Sequence, residues 1–183
     1  MNDVALLHFQ HLTRIFYFDY FDVAAAQTDA DEEWKGWNKV GDPVLHIELR
    51  DWADALVIAP LSAHTLAKLA NGLCDDTLSC VVRAWDFGHG LRPGKPLILA
   101  PAMNTAMWQH PLTLPQLKTI QQFWNNGGGG GGDAPSGVIV VQPQVKTLAC
   151  GELGIGALAS VEEIVASVGG AFDQTEGLKN EQS

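Results

Sequence analysis

Ala55-Leu-Val-Ile-Ala59, Pro96-Leu-Ile-Leu-Ala100 and Val138-Ile-Val-Val141 decide the fold of this chain. Each is a short, unbroken apolar run, the pattern of a strand buried on both faces rather than one alternating between core and water. Each stops at or near a proline: Pro60, Pro101 and Pro143. Helical patterns fill the intervals, at about Ala63–Gly72, Leu78–Trp85 and Thr113–Trp124, and a last one lies near Val161–Val168. Strand–helix–strand alternation predicts an α/β domain with a parallel sheet between helices. Flavodoxin-like and Rossmann-like strand orders fit this pattern equally.

The surrounding chain narrows the function classes. Of 183 residues, 46% are apolar, enough for a core of ordinary size, and 21 Asp+Glu against 11 Lys+Arg give a net charge of −10. Such a balance repels phosphate backbones and anionic lipid, so neither nucleic acid nor a membrane surface is an expected partner. No apolar run approaches the ~20 residues that cross a bilayer. The first 26 residues have one basic residue, Arg14, and an aromatic run broken by Asp19, unlike a signal peptide. Cys74, Cys80 and Cys150 form no CxxC pair, and their odd number fits a reducing, cytoplasmic setting. His8 and His11 have helical spacing without a third ligand, so no metal site is expected.

Residues 1–27 and the polar tail 169–183 fit the α/β pattern poorly. The segment Phe16–Phe21 reads as a strand, a helix face or a docking segment. Six consecutive glycines between Asn125 and Asp133 follow a helix and precede a strand, the reverse of a phosphate cradle, and read as a flexible linker. Gly88–Lys95 misses P-loop glycine spacing and has Pro96 where Ser or Thr is required.

In open parallel sheets, ligands bind beyond the carboxyl ends of the strands. Those ends carry Pro60-Leu-Ser-Ala-His-Thr65, Pro101-Ala-Met-Asn-Thr105 and the stretch from Pro143 to Gly156. Ser62 and Thr65 open a helix, where a hydroxyl caps the helix or reaches a ligand; Asn104 is a turn, cap or ligand residue. Gly151, Gly154 and Gly156 argue against a regular strand around Cys150 and for a mobile loop. Cys74 and Cys80 read as core residues in apolar helical context. His46, flanked by Leu45 and Ile47, reads as a buried histidine or as a base.

Together, these motifs carry a family resemblance. His46-Ile-Glu-Leu-Arg-Asp-Trp-Ala-Asp54, Ala59-Pro-Leu-Ser-Ala-His-Thr65, Gly72-Leu-Cys-Asp75, Arg83-Ala-Trp-Asp86, Pro101-Ala-Met-Asn-Thr-Ala-Met-Trp108 and Leu148-Ala-Cys-Gly151 resemble the flavin-dependent cysteine decarboxylases, most of all their coenzyme A branch. The resemblance covers about residues 28–168, with the glycine-rich insert 125–133 inside it.

This resemblance implies a flavodoxin-like (Rossmann-type) three-layer subunit in a homotrimer or mixed trimer, with FMN and substrate at subunit contacts. The implied substrate is 4'-phosphopantothenoylcysteine. His46 would match the catalytic base and Cys150 the proton donor on a flap. Ser62, Ala63, His64 and Thr65 would match the flavin loop, with Ala102 and Met103 beside the flavin or the substrate. Asn104 and Ala149 would match substrate contacts. There are four departures. Residues 1–27 hold no glycine, so the family's first strand and phosphate-cradling turn are expected to be lost. His64 and Asp76 each stand where Asn is common, and Thr147 where a basic residue is frequent, beside Lys146. Relatives that serve as non-catalytic regulatory subunits, such as phosphatase inhibitors, supply the alternative reading.

Overall fold

The computed structural model describes residues 14–18, 35, 37–89, 94–125, 137–147 and 153–180. A four-stranded sheet is built from β1 (Ile15–Phe18), β2 (Ala55–Leu61), β3 (Leu97–Pro101) and β4 (Val138–Val140), paired in that order and all parallel. The three apolar runs are therefore adjacent strands. Of the readings open for the aromatic segment, Ile15–Phe18 takes the strand, with Ile15 opposite Ala55, so a parallel strand precedes β2 where the loss of the first strand was expected. The glycine run and the rest of residues 1–27 lie outside the described residues, apart from Arg14 and β1.

Successive residues of β2 serve opposite faces, as strand geometry requires. Leu56 and Ile58, with Leu97, Leu99 and Val138, pack under α2 (Ala63–Asn71), α3 (Thr77–Ala84) and α5 (Thr113–Asn125), against Leu66, Leu69, Val81, Leu117 and Ile120. On the other face, Ala55, Val57 and Ala59, with Ile98 and Ala100, meet Ile164 and Val168 of α6 (Val161–Asn180). Small residues on that face let one helix approach closely. The result is the expected three-layer flavodoxin-like architecture.

Four local outcomes differ from the sequence reading. First, α6 continues twelve residues past Val168, and Ala171 is buried. Second, Leu45–Trp52 is a helix, α1, with no fully buried residue; His46 belongs to neither core cluster. Third, Cys74 is exposed and Cys80 only partly covered, because the loop before α3 turns Cys74 outward. Fourth, a two-stranded antiparallel hairpin, β5 (Gln144–Thr147) with β6 (Leu153–Ala157), forms despite Gly154 and Gly156.

The start of α3 accounts for Asp76. Its carboxylate accepts from the Ser79 backbone N–H at 2.7 Å, and Ser79 Oγ accepts from the Asp76 N–H at 3.2 Å, forming a capping box. Lys68 Nζ donates to Asp76 at 2.8 Å and pairs with Asp75 at 2.7 Å. Burial opposes the Lys68 charge, but the hydrogen bonds and charges of Asp75 and Asp76 outweigh it and raise the lysine pKa. Chiefly through its hydrogen bond with Lys68, Asp75 is held below the usual carboxylate range. The raised lysine stabilises the fold fully below its unfolded pKa of ~10.4 and loses that contribution as pH rises through the folded value. The lowered aspartate contributes above ~3.9 and fades as pH falls through its folded value.

Asp76→Ala removes a cap worth about 0.5–2 kcal/mol and a buried partner of Lys68. We expect a loss of about 2 kcal/mol, read as a Tm roughly 4–8 °C lower. Asp76→Asn, which still caps, should lose clearly less; equal losses would mean that the cap contributes nothing.

Candidate functional site

The polar turns after β2 and β3 meet at the carboxyl edge of the sheet. Ser62 is the N-cap of α2: its Oγ accepts from the Thr65 N–H at 3.1 Å and lies 3.0 Å from Thr65 Oγ1. Ala63 and His64, the first two helical residues, have backbone N–H groups that donate to no acceptor among the described residues. Two outward-facing donors at a helix start suit an acceptor-rich or anionic ligand. The Ala102 N–H donates to Leu61 O at 2.9 Å, tying the turn after β3 to the end of β2.

Asn104 caps the short helix α4 (Thr105–Trp108) by accepting from the Met107 N–H at 2.9 Å through Oδ1. That bond fixes the amide plane and leaves Nδ2 to donate outward. Asn104 and Ala63 line one open cleft of about 400 Å³, together with Ala67, Met107, His110 and Gln116. Met107, His110 and Gln116 were not singled out from the sequence. The usable signal was the position of Met107, three residues after Asn104 on a helix that this asparagine caps. A second cavity, about 240 Å³, lies at the far end of α2, lined by Leu69, Gly72, Val82, Phe87 and Phe123, away from the strand ends.

The hairpin joins this edge at one seam. The Met103 N–H donates to Gly156 O at 2.9 Å, and a Cβ built on Gly156 would collide with the Met103 carbonyl oxygen and stand 3.1 Å from its carbon. Close approach explains why a glycine occupies β6. Gly156→Ala must push the hairpin off the turn, at about 1–3 kcal/mol for a forced overpacking. The expected results are a Tm lower by roughly 3–10 °C and faster amide exchange at Met103. An unchanged Met103 amide would contradict the seam. At the other strand, Gln144 Nε2 donates to Glu163 at 2.8 Å, and Glu163 also accepts from the Ser160 N–H at 2.9 Å. The Ser160 backbone and hydroxyl, then Gln144, hold the Glu163 carboxyl below its usual range. Cys150 and Ala149 fall in the 148–152 connection of the hairpin, outside the described residues.

His46 stands on α1 and is partly covered, beside Leu45 and Ile47, which are 46% and 37% exposed. It does not line the Asn104 cleft. Thus Ser62, Ala63, Thr65, Ala102, Met103 and Asn104 share one edge within a single chain, of which Ala63 and Asn104 line the cleft, whereas His46 does not line it. Among the described residues, no group of three His, Cys, Asp or Glu side chains could hold a metal, and no helix is long and apolar enough to cross a membrane.

Comparison with known proteins finds the Flavoprotein family model matching residues 8–172. A probable phosphopantothenoylcysteine decarboxylase of Arabidopsis thaliana is 50% identical over 141 residues, covering 77% of this chain and 60% of that protein. The phosphopantothenoylcysteine decarboxylase of Oryza sativa subsp. japonica is 44% identical, covering 91% of this chain and 76% of that protein. The chain thus spans about three-fifths of the length of the Arabidopsis relative. Among solved structures, a cysteine-to-serine mutant of PPC decarboxylase complexed with pantothenoylaminoethenethiol is 46% identical, with a TM-score of 0.65 over 79% of this chain and 69% of that one. The FMN binding protein AtHal3 is 48% identical, with a TM-score of 0.58 over 76% of this chain and 65% of that one.

Proposed function

This chain belongs to the flavoprotein family, and from that premise we propose that it is an FMN-dependent decarboxylase converting 4'-phosphopantothenoylcysteine to 4'-phosphopantetheine in coenzyme A synthesis. The observation that carries this reading is the likeness to the rice decarboxylase, which extends over three-quarters of that protein. The α2 N-terminus fits a flavin: two outward amide donors, the Ser62 and Thr65 hydroxyls, and the small Ala63 and Ala102 side chains beside them.

The chemistry accounts for the residue types. A cysteine carboxylate has no electron sink for the carbanion left when carbon dioxide departs. Bound FMN supplies a two-electron acceptor and donor, so the thiol-bearing carbon can become a thioaldehyde and later be reduced again. His46 takes the thiol proton. Asn104 holds the carboxylate through Nδ2, a neutral donor that does not resist its loss as a cation would. The Ala149 backbone adds a substrate contact beside Cys150. Cys150 returns a proton to the enethiol carbon. The relative with cysteine replaced by serine carries an aminoethenethiol, two hydrogens short of the saturated aminothiol, which supports a cysteine as proton donor.

His46 stands apart from the Asn104 cleft, on a helix that leaves Leu45 and Ile47 partly uncovered. Both features support a homotrimer or mixed trimer in which His46 of one subunit completes the cleft of the next; the cysteine usage supports a cytoplasmic setting. One observation favours a second reading, a non-catalytic partner subunit: within one chain His46 does not line the Asn104 cleft. FMN release on denaturation separates the two. The enzyme reading expects near-stoichiometric FMN after incubation with excess, and product from that loaded protein. No uptake and no product would favour the partner subunit.

A further inference from the structure

We propose that Lys95, together with the Arg50–Asp86 pair, positions His46 by fixing the pitch and rotation of α1; this rests on the reading of His46 as the base. Burial of apolar surface holds only the end of that helix, where its C-cap Ala53 lies in the core cluster. None of its residues is fully buried, Leu45, Ile47 and Trp52 are exposed, and Leu49 alone packs on the core cluster.

Polar contacts do the holding. At the C-terminal end of α1 the last carbonyls lack helical partners. The Lys95 ammonium donates to two carbonyls there, Arg50 O at 2.7 Å and Ala53 O at 2.8 Å. It also lies 5.6 Å from the centre of the Trp85 ring. Lys95 is itself anchored at both backbone groups: its N–H donates to Asp86 O at 2.8 Å, and its carbonyl accepts from Trp85 Nε1 at 2.8 Å. One residue later the Pro96 carbonyl accepts from Leu56 N–H at the start of the sheet. The lysine therefore connects the sheet to the end of α1.

The second pin sets rotation. Arg50 Nη2 donates to Asp86 Oδ1 at 2.7 Å, and both side chains are largely buried. Arg50 follows His46 by four residues, so the two project from the same helix face about 6 Å apart along the axis. Holding Arg50 to Asp86 fixes the direction in which His46 points. Releasing the C-terminal pin lets the helix tilt, and a tilt of ~10° over a helix of this length moves its N-terminal turn by roughly 1–2 Å. A displacement of that order costs up to ~10²-fold where an acid–base group must meet its proton.

The test compares FMN-loaded parent and Lys95→Met, which keeps most of the stem and removes the ammonium. The readouts are kcat, KM for 4'-phosphopantothenoylcysteine, FMN content and the His46 ring resonance, assigned by its disappearance in His46→Asn. We expect kcat to fall about 10- to 100-fold, KM and FMN content to stay within about twofold, and the His46 resonance to move. Lys95→Arg, which keeps a cation at the same place, should recover most of kcat and the parental resonance. A folded Lys95→Met with parental kcat, or with lowered kcat and an unmoved His46 resonance, would overturn the positioning role. If Lys95→Met does not fold, the proposal is overturned should Lys95→Arg shift kcat while leaving the His46 signal in place. If the FMN-loaded parent does not turn over, the decarboxylase reading fails, while the resonance shift still decides whether Lys95 positions His46.

Discussion

In FMN-loaded protein, His46→Asn is expected to keep the flavin and the fold but to reduce it with substrate at least ~10²-fold more slowly, the low end of what a positioned general base contributes. A thiol of unperturbed pKa ~8.5 is mostly protonated at neutral pH, and hydride loss from its carbon needs the thiolate. Asparagine occupies similar space and can still donate and accept, yet it cannot take that proton. Helix α1 buries no residue fully, so the substitution removes no core packing, and the fold should be kept. Anaerobic stopped-flow bleaching of the flavin measures the effect. Bleaching at the parental rate would make His46 a structural residue.

Cys150→Ser should divide the reaction in two. On the proposed roles, proton removal and loss of carbon dioxide call on His46 and Asn104, whereas only the return of the hydride needs an acid, Cys150. A serine hydroxyl is far less acidic than a thiol and cannot replace it as donor despite its similar size. Carbon dioxide is expected at near-parental yield in a single turnover, with a product two hydrogens lighter than 4'-phosphopantetheine accumulating. Mass spectrometry of the quenched mixture reads the outcome. Fully reduced product at the parental rate would remove Cys150 as donor, and absence of carbon dioxide would place the cysteine before decarboxylation.

The sheet was legible because β2 and β3 are buried on both faces and β4 partly so, which makes their sequences unbroken apolar runs. The caps at Ser62 and Asn104 were legible for a similar reason: residue type and position after a strand limit what they can do. Helix α1 was not. Its apolar residues Leu45, Ile47 and Leu49 alternate, and two of the three are exposed, so no core stripe marks the helix. The hairpin was hidden by Gly154 and Gly156; the second of these reflects the Met103 seam rather than a loop. Asp76 looked like a departure until Lys68 supplied its counter-ion eight residues earlier. The Arg50–Asp86 and Lys95 contacts join residues 36 to 45 positions apart, beyond the reach of any local pattern.

Turnover of 4'-phosphopantothenoylcysteine by this chain is the premise of every role proposed for His46, Asn104 and Cys150. The direct measurement is an anaerobic single turnover with FMN-saturated protein, followed by flavin absorbance and by the mass of the product. The predicted result is transient bleaching, return of the oxidised flavin, and 4'-phosphopantetheine, lighter than the substrate by one carbon dioxide. Unchanged substrate in the presence of fully bound FMN would contradict it.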